Sequence, residues 1–126
     1  MSNEKKVLIV EDDESIRKVL KMELEKEGIV VFQAENGEEA IKLAEAEKPN
    51  VLLLDIIMPK MHGMDMMRKI QENEWGKNIP IIILTNFADD PRVIEAVREG
   101  RCDLLKKAES KLEDIISKVK EKLESK

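Results

Sequence analysis

Three stretches of the chain, Val7-Leu8-Ile9-Val10, Val51-Leu52-Leu53-Leu54 and Ile81-Ile82-Ile83-Leu84, are apolar at every position. A strand with one wet face alternates apolar with polar residues, whereas a strand covered by helices on both faces has no reason to alternate. The three runs therefore predict central strands of a parallel sheet. The first of them, which follows the polar start Met1 to Lys6, is too short for the apolar region of a signal peptide or for a membrane span. Ile29 to Phe32 is also apolar but shades into Gln33, and Cys102 to Lys107 is more polar still, so these two are expected at the sheet edges.

Amphipathic stretches with readable ends separate the runs. Glu14 to Glu27 places Ile16, Val19, Leu20 and Leu24 on one face, and Gly28 follows as a stop. Asn36 caps a second helix with Glu39 three residues on, and Pro49-Asn50 ends it. A third helix carries Met66, Met67 and Ile70, and a fourth opens at Asp90-Pro91 and closes at Gly100. A fifth is expected to be capped by Ser110, with Glu113 three places later, and repeats Leu112, Ile115, Ile116, Val119 and Leu123 at helical spacing. Parallel strands need right-handed crossovers, and helices must cover both faces. The prediction is one α/β domain spanning 1–126: a doubly wound, five-stranded parallel sheet of flavodoxin-like order 2-1-3-4-5 with five helices.

Composition narrows the function. The chain of 126 residues has 27 acidic and 22 basic side chains, a formal net charge of −5, which opposes a sequence-independent hold on nucleic acid or anionic lipid. No direct nucleic-acid binding and no membrane association are expected. A single cysteine, Cys102, makes neither an internal disulfide nor a multi-cysteine zinc site, so the cytoplasm is the expected compartment. With Phe32, Trp75 and Phe87 the only aromatics, Met58, Met61, Met64, Met66 and Met67 are read as core filler, Cys102 as a small buried hydrophobe and Trp75 as a packing lid.

In a sheet of this kind ligands bind outside the carboxyl ends of the strands. Those ends are Glu11-Asp12-Asp13, Asp55, Thr85 and Lys106-Lys107. Carboxylates crowded on one rim raise each other's proton affinity unless a cation joins them, and Mg²⁺ suits oxygen ligands beside a phosphate. A carboxylate that receives a phosphoryl group needs these partners: a hard cation, an ammonium and a hydroxyl.

The segments Ile9-Val10-Glu11-Asp12-Asp13-Glu14, Leu54-Asp55-Ile56-Ile57-Met58-Pro59-Lys60-Met61-His62-Gly63, Leu84-Thr85 and Gly100-Arg101-Cys102-Asp103-Leu104-Leu105-Lys106-Lys107 together resemble the receiver domain of bacterial response regulators. The resemblance implies a two-component phosphorelay module that takes a phosphoryl group onto Asp55 from a sensor histidine kinase, a phosphotransfer protein or a small phosphodonor. It implies a Mg²⁺ site built from the acidic pair Glu11 and Asp12, from Asp55 and from the backbone carbonyl of Ile57. Asp13 falls one place beyond the pair and is expected to cap the first helix. Thr85 matches the hydroxyl that senses the phosphoryl group. Counting from Gly100 and Asp103 puts the phosphate-binding lysine at Lys107 rather than Lys106, and alternation along a strand would set those two on opposite faces.

Three positions depart from the family pattern. Ala108 replaces the usual proline after the lysine, where a cis bond would cost about 2.5–4 kcal/mol, so the geometry of that bond is left open. Leu104 stands in place of the aromatic switch residue, and His62 stands in place of an acidic residue, with a surface-loop role expected for it. Among rival readings, a flavin binder needs a hydroxyl- and glycine-rich loop where Glu11 to Glu14 would repel phosphate. A phosphohydrolase needs a general acid where Ile57 stands, so a slowly self-dephosphorylating switch is expected rather than a turnover enzyme. The remaining alternative is a pseudo-receiver, an interaction module that never takes phosphate. The output is expected to leave through the face formed by the fourth helix, fifth strand and fifth helix, toward a partner the sequence does not name.

Overall fold

The computed structural model describes residues 4–58 and 60–124; Met1 to Asn3, the motif's Pro59, and Ser125 and Lys126 lie outside the described residues. The elements alternate as β1 (Lys6–Val10), α1 (Glu14–Lys26), β2 (Val30–Ala34), α2 (Gly37–Glu47), β3 (Val51–Leu54), α3 (Gly63–Gln71), β4 (Ile81–Thr85), α4 (Pro91–Arg98), β5 (Asp103–Lys106) and α5 (Leu112–Glu124). All strand pairs are parallel, in the order β2-β1-β3-β4-β5, with Val7 opposite Val51, Leu54 opposite Ile83 and Thr85 opposite Lys106. The flavodoxin-like, doubly wound sheet expected from the apolar runs is therefore the one observed, with the two more polar strands at its edges.

Alternation along the central strands divides the interior into two cores. Leu8, Val10, Leu52, Leu54, Ile81 and Ile83 face α2, α3 and α4, where Ala40, Ala44, Met64, Met66, Met67, Ile70, Val93 and Ala96 meet them. Val7, Ile9, Val51, Leu53, Ile82 and Leu84 face α1 and α5, against Leu20, Leu24, Ile115, Val119 and Leu123. The methionines of α3 fill the first core, with Met58, Met61 and Trp75 packed at its margin. Cys102 is buried too, and burial pushes its thiol up to about 11.

The helix ends follow local chemistry. Asp13, Asn36 and Asp90 each accept a backbone N–H from the first turn of α1, α2 and α4, and Pro91 occupies the first turn of α4. Gly28 and Gly100 take positive φ just past α1 and α4, where a side chain would be strained.

Four expectations need correction. Val19 is 48% exposed, and the buried line of α1 runs through Arg17, Leu20 and Leu24 instead. Ser110 does not cap α5; its hydroxyl donates to Lys106 O, and the start of α5 is closed by Asp114 Oδ2, which accepts from Lys111 N. Glu39 reaches back to Glu35 N, one residue before the cap itself. Lys107 is not on β5: it opens a short 3-10 turn, Lys107–Glu109, that starts where the ladder stops. No cis peptide bond occurs among the described residues, so Lys107–Ala108 is trans.

Candidate functional site

The carboxyl ends of β1 and β3 are adjacent because those strands pair, and the ladder carries past both ends. Asp55 N donates to Val10 O at 3.0 Å, and Glu11 N donates to Ala34 O at 3.1 Å. Asp55 and Glu11 are thus held by the sheet, and both are buried, whereas Asp12 points out into solvent range. One carboxylate oxygen from each of Glu11, Asp12 and Asp55 lies within 4.8 Å of the others.

Lys107 completes the cluster from the other side of the sheet. Its Nζ donates to Glu11 Oε1 at 2.7 Å and to Asp55 Oδ2 at 2.9 Å. Burial pushes the Glu11 carboxyl above its ordinary value, although the Lys107 ammonium and the Asp13 amide both pull it back down. Burial also depresses the Lys107 ammonium, but its hydrogen bonds to Glu11 and Asp55 outweigh that, and it rests above its ordinary value. Lys106, by contrast, is exposed. The 3-10 turn, rather than strand alternation, brings Lys107 inward.

The segment after Asp55 folds back over it. Ile57 N donates to Asp55 Oδ1 at 3.3 Å, placing the Ile57 backbone against the carboxylate. Gly63 N donates to Ile56 O at 2.8 Å and closes the loop. A Cβ at Gly63 would sit 2.5 Å from Ile56 Cα and 3.1 Å from Asp55 O, so only glycine permits this approach. His62 is more than a loop residue: its Nδ1 accepts from Met64 N at 3.1 Å and caps α3, while its Nε2 lies 4.0 Å from Asp90 Oδ2 at the start of α4.

Thr85 ends β4 fully buried, and its Oγ1 accepts from Phe87 N at 3.1 Å. Leu104 lies on β5 opposite Ile83 and packs, half-buried, against the core beneath α3 and α4. The structure so brings Glu11, Asp12, Asp55, Ile57 and Lys107 to one rim, with Thr85 at the end of the adjoining strand and Leu104 further along β5. Sequence reading missed Arg17. Its guanidinium is buried and its Nη1 donates to Glu11 O at 2.7 Å. The available signal was its position three and seven residues before Leu20 and Leu24, on the stripe that faces the sheet.

As a donor set, three carboxylate oxygens gathered at a rim suit a hard divalent cation of the Mg²⁺ type. A carboxylate beside an ammonium suits an attack on phosphorus.

Comparison with known proteins agrees with this geometry. The family model described as "Response regulator receiver domain" matches residues 7–120. An uncharacterised 14.6 kDa protein of Leptolyngbya boryana is 37% identical over 107 residues, which cover 85% of this chain and 82% of that one. The transcriptional regulatory protein SrrA of Staphylococcus aureus is 37% identical over 116 residues, 92% of this chain but 46% of SrrA, so the chain spans about half the length of that relative. Among solved structures, the receiver domain of the sensor histidine kinase PA1611 from Pseudomonas aeruginosa superposes with a TM-score of 0.84 at 26% identity, covering 97% of this chain and 99% of that one, and it holds a magnesium ion in its active-site cleft. With the acidic rim, the inward lysine and the sheet order all in place, the chain belongs to the response regulator receiver domain family of two-component signalling.

Proposed function

We propose that this domain is a phosphorylation switch in which Asp55 accepts a phosphoryl group from a histidine kinase, a phosphotransfer protein or a small phosphodonor. The observation that carries the reading is Lys107 Nζ held between Glu11 and Asp55, at 2.7 and 2.9 Å. An interaction module that never takes phosphate has no use for a desolvated ammonium beside an aspartate at a strand end.

Asp55 Oδ2 attacks phosphorus, the bond from phosphorus to the donor's nitrogen or oxygen breaks, and the leaving group departs with the bonding pair. Lys107, released from Asp55 Oδ2 as that oxygen becomes the bridge of an acyl phosphate, pairs with a phosphoryl oxygen instead. Glu11, Asp12, Asp55 and the Ile57 carbonyl are the groups that would hold Mg²⁺, which when bound offsets the negative charge of the carboxylates and the incoming phosphate. Ile57 stands where a hydrolase would carry a general acid, so the domain acts as a slowly self-dephosphorylating switch rather than a turnover enzyme.

The output path starts at Thr85. Its Oγ1 accepts from Phe87 N, Phe87 O accepts from Asp90 N at 3.1 Å, and Asp90 Oδ1 accepts from Arg92 N at 2.8 Å in the first turn of α4. Drawing the Thr85 hydroxyl toward a phosphoryl oxygen breaks the first link and frees the segment ahead of α4. Phe87 ahead of α4 and Ile94 and Val97 on it are exposed, and these apolar side chains are the ones we assign to a partner on the face of α4, β5 and α5. The cytoplasm, where the lone Cys102 stays reduced, is the compartment we assign.

Incubation with acetyl phosphate and Mg²⁺, followed by intact mass, tests the reading. One phosphoryl group should add to the wild type and none to Asp55→Asn or to a chelated sample. A wild-type-like adduct on Asp55→Asn overturns it.

A further inference from the structure

We propose that Arg17 is a positioning residue for the divalent cation: its guanidinium fixes the acidic loop from beneath and presets the direction of Asp12. The inference rests on the Mg²⁺-dependent reading of this pocket. Arg17 lies on α1 in line with Leu20 and Leu24, and is 8% exposed. A buried arginine is costly unless its charge and donors are used. Among the described residues its guanidinium donates to Glu11 O, at 2.7 Å, a short charge-assisted bond.

That oxygen belongs to the peptide unit joining Glu11 to Asp12. The unit is planar, so holding its oxygen orients the plane and with it the Cα of Asp12. On the other side of Asp12, the backbone N of Arg17 donates to Asp13 O at 3.0 Å, and Asp13 caps α1 through Ile16 N. The helix backbone thus fixes the far side of Asp12 whatever residue stands at 17, and the near side is the one the Arg17 guanidinium holds. Asp12 is the exposed member of the three acids, and among the described residues the ladder and lysine bonds go to Glu11 and Asp55, so its approach to a cation depends on the backbone that Arg17 restrains. Partners that orient a metal ligand without touching the metal commonly matter about 10–100-fold in affinity.

The test is a calorimetric Mg²⁺ titration of the unphosphorylated protein. Arg17→Met keeps the apolar stem and removes the donors, and it should weaken Mg²⁺ binding about tenfold or more. Arg17→Lys, which keeps a charge but loses the planar fork, should fall between that variant and the wild type. Leu24→Ala destabilises the far end of the same helix and should bind Mg²⁺ like the wild type. Wild-type affinity in Arg17→Met, or equal weakening in Leu24→Ala, overturns the assignment; if Arg17→Met does not fold, wild-type affinity in Arg17→Lys does so. Absence of Mg²⁺ binding by the wild type would instead strike at the reading of the pocket itself.

Discussion

Lys107→Met leaves two carboxylates facing one another without the cation that separates them. In the wild type the Lys107 side chain is 19% exposed, while those of Glu11 and Asp55 are 4% and 10% exposed, so solvent screens the trio only weakly. Two unit charges within 4.8 Å repel by roughly 3–4 kcal/mol at an effective dielectric near 20. Each carboxylate retains an amide donor, Asp13 N for Glu11 and Ile57 N for Asp55, which moderates the loss. We expect Lys107→Met to lose about 2–4 kcal/mol in EDTA at neutral pH, in keeping with buried pairs stripped of one partner. In urea that is a midpoint lowered by about 1–2 M at unchanged slope. Two interventions should narrow the gap. Mg²⁺ supplies the missing positive charge. Acid acts through Glu11: burial already raises its carboxyl in the fold, and losing the Lys107 ammonium removes an influence that holds it down, so the variant's native state gains more from that proton as pH falls than the wild type's does. A variant with the wild-type midpoint in EDTA, or a deficit indifferent to Mg²⁺, would refute the claim that Lys107 is the resident counter-charge.

Gly63→Ala should destabilise the domain by about 1–3 kcal/mol, because the new Cβ meets backbone rather than a flexible side chain; an unchanged urea midpoint counts against the loop geometry. The Cys102 thiol is raised from 9.0 to about 11, so between those values the unfolded chain ionises first and the folded state loses stability as pH rises. Cys102→Ala should lack that alkaline loss in pH-resolved denaturation, and an identical profile would contradict it. Lys107→Ala should impair the phosphorylation response while Lys106→Ala, altering an exposed side chain, should not; the reverse result would mean that the 3-10 turn is misassigned. With beryllofluoride as a phosphoryl mimic, amide shifts should extend from Thr85 through Phe87 and Asp90 into α4, and a silent α4 would reject the output path.

Much of this architecture is legible because its signals are redundant. The β1, β3 and β4 runs allow no solvent face, and Asp13, Asn36 and Asp90-Pro91 carry the capping chemistry their positions demand. Where residue type and helical position disagree, hydropathy misleads. Val19 is apolar but lies on the flank of α1 away from the Arg17-Leu20-Leu24 line, whereas Arg17 lies on that line and buries its stem, with Glu11 O as an acceptor at its end. Ser110 has the right residue type for a cap, but the 3-10 turn shifts the start of α5 and turns its hydroxyl toward Lys106 O. The positions of Glu11, Asp12, Asp55 and Lys107 were readable from strand ends and motif register. The 3-10 turn that carries Lys107 inward, and the capping of α3 by His62, depend on the local backbone path and were not. Leu104 packs half-buried against the core, and a leucine without a hydroxyl or ring should give a smaller population shift at β5 than an aromatic would.

The switch depends on which residue carries the phosphoryl group. Borohydride reduces an aspartyl phosphate to homoserine, which marks the acceptor permanently before proteolysis. After treatment with acetyl phosphate and Mg²⁺, peptide mass mapping should find homoserine at position 55, with Glu11, Asp12 and Asp13 unmodified and no conversion when Mg²⁺ is chelated. Homoserine at position 12 or 13, or conversion at 55 that persists without a divalent cation, would contradict Asp55 as the Mg²⁺-dependent phosphoacceptor.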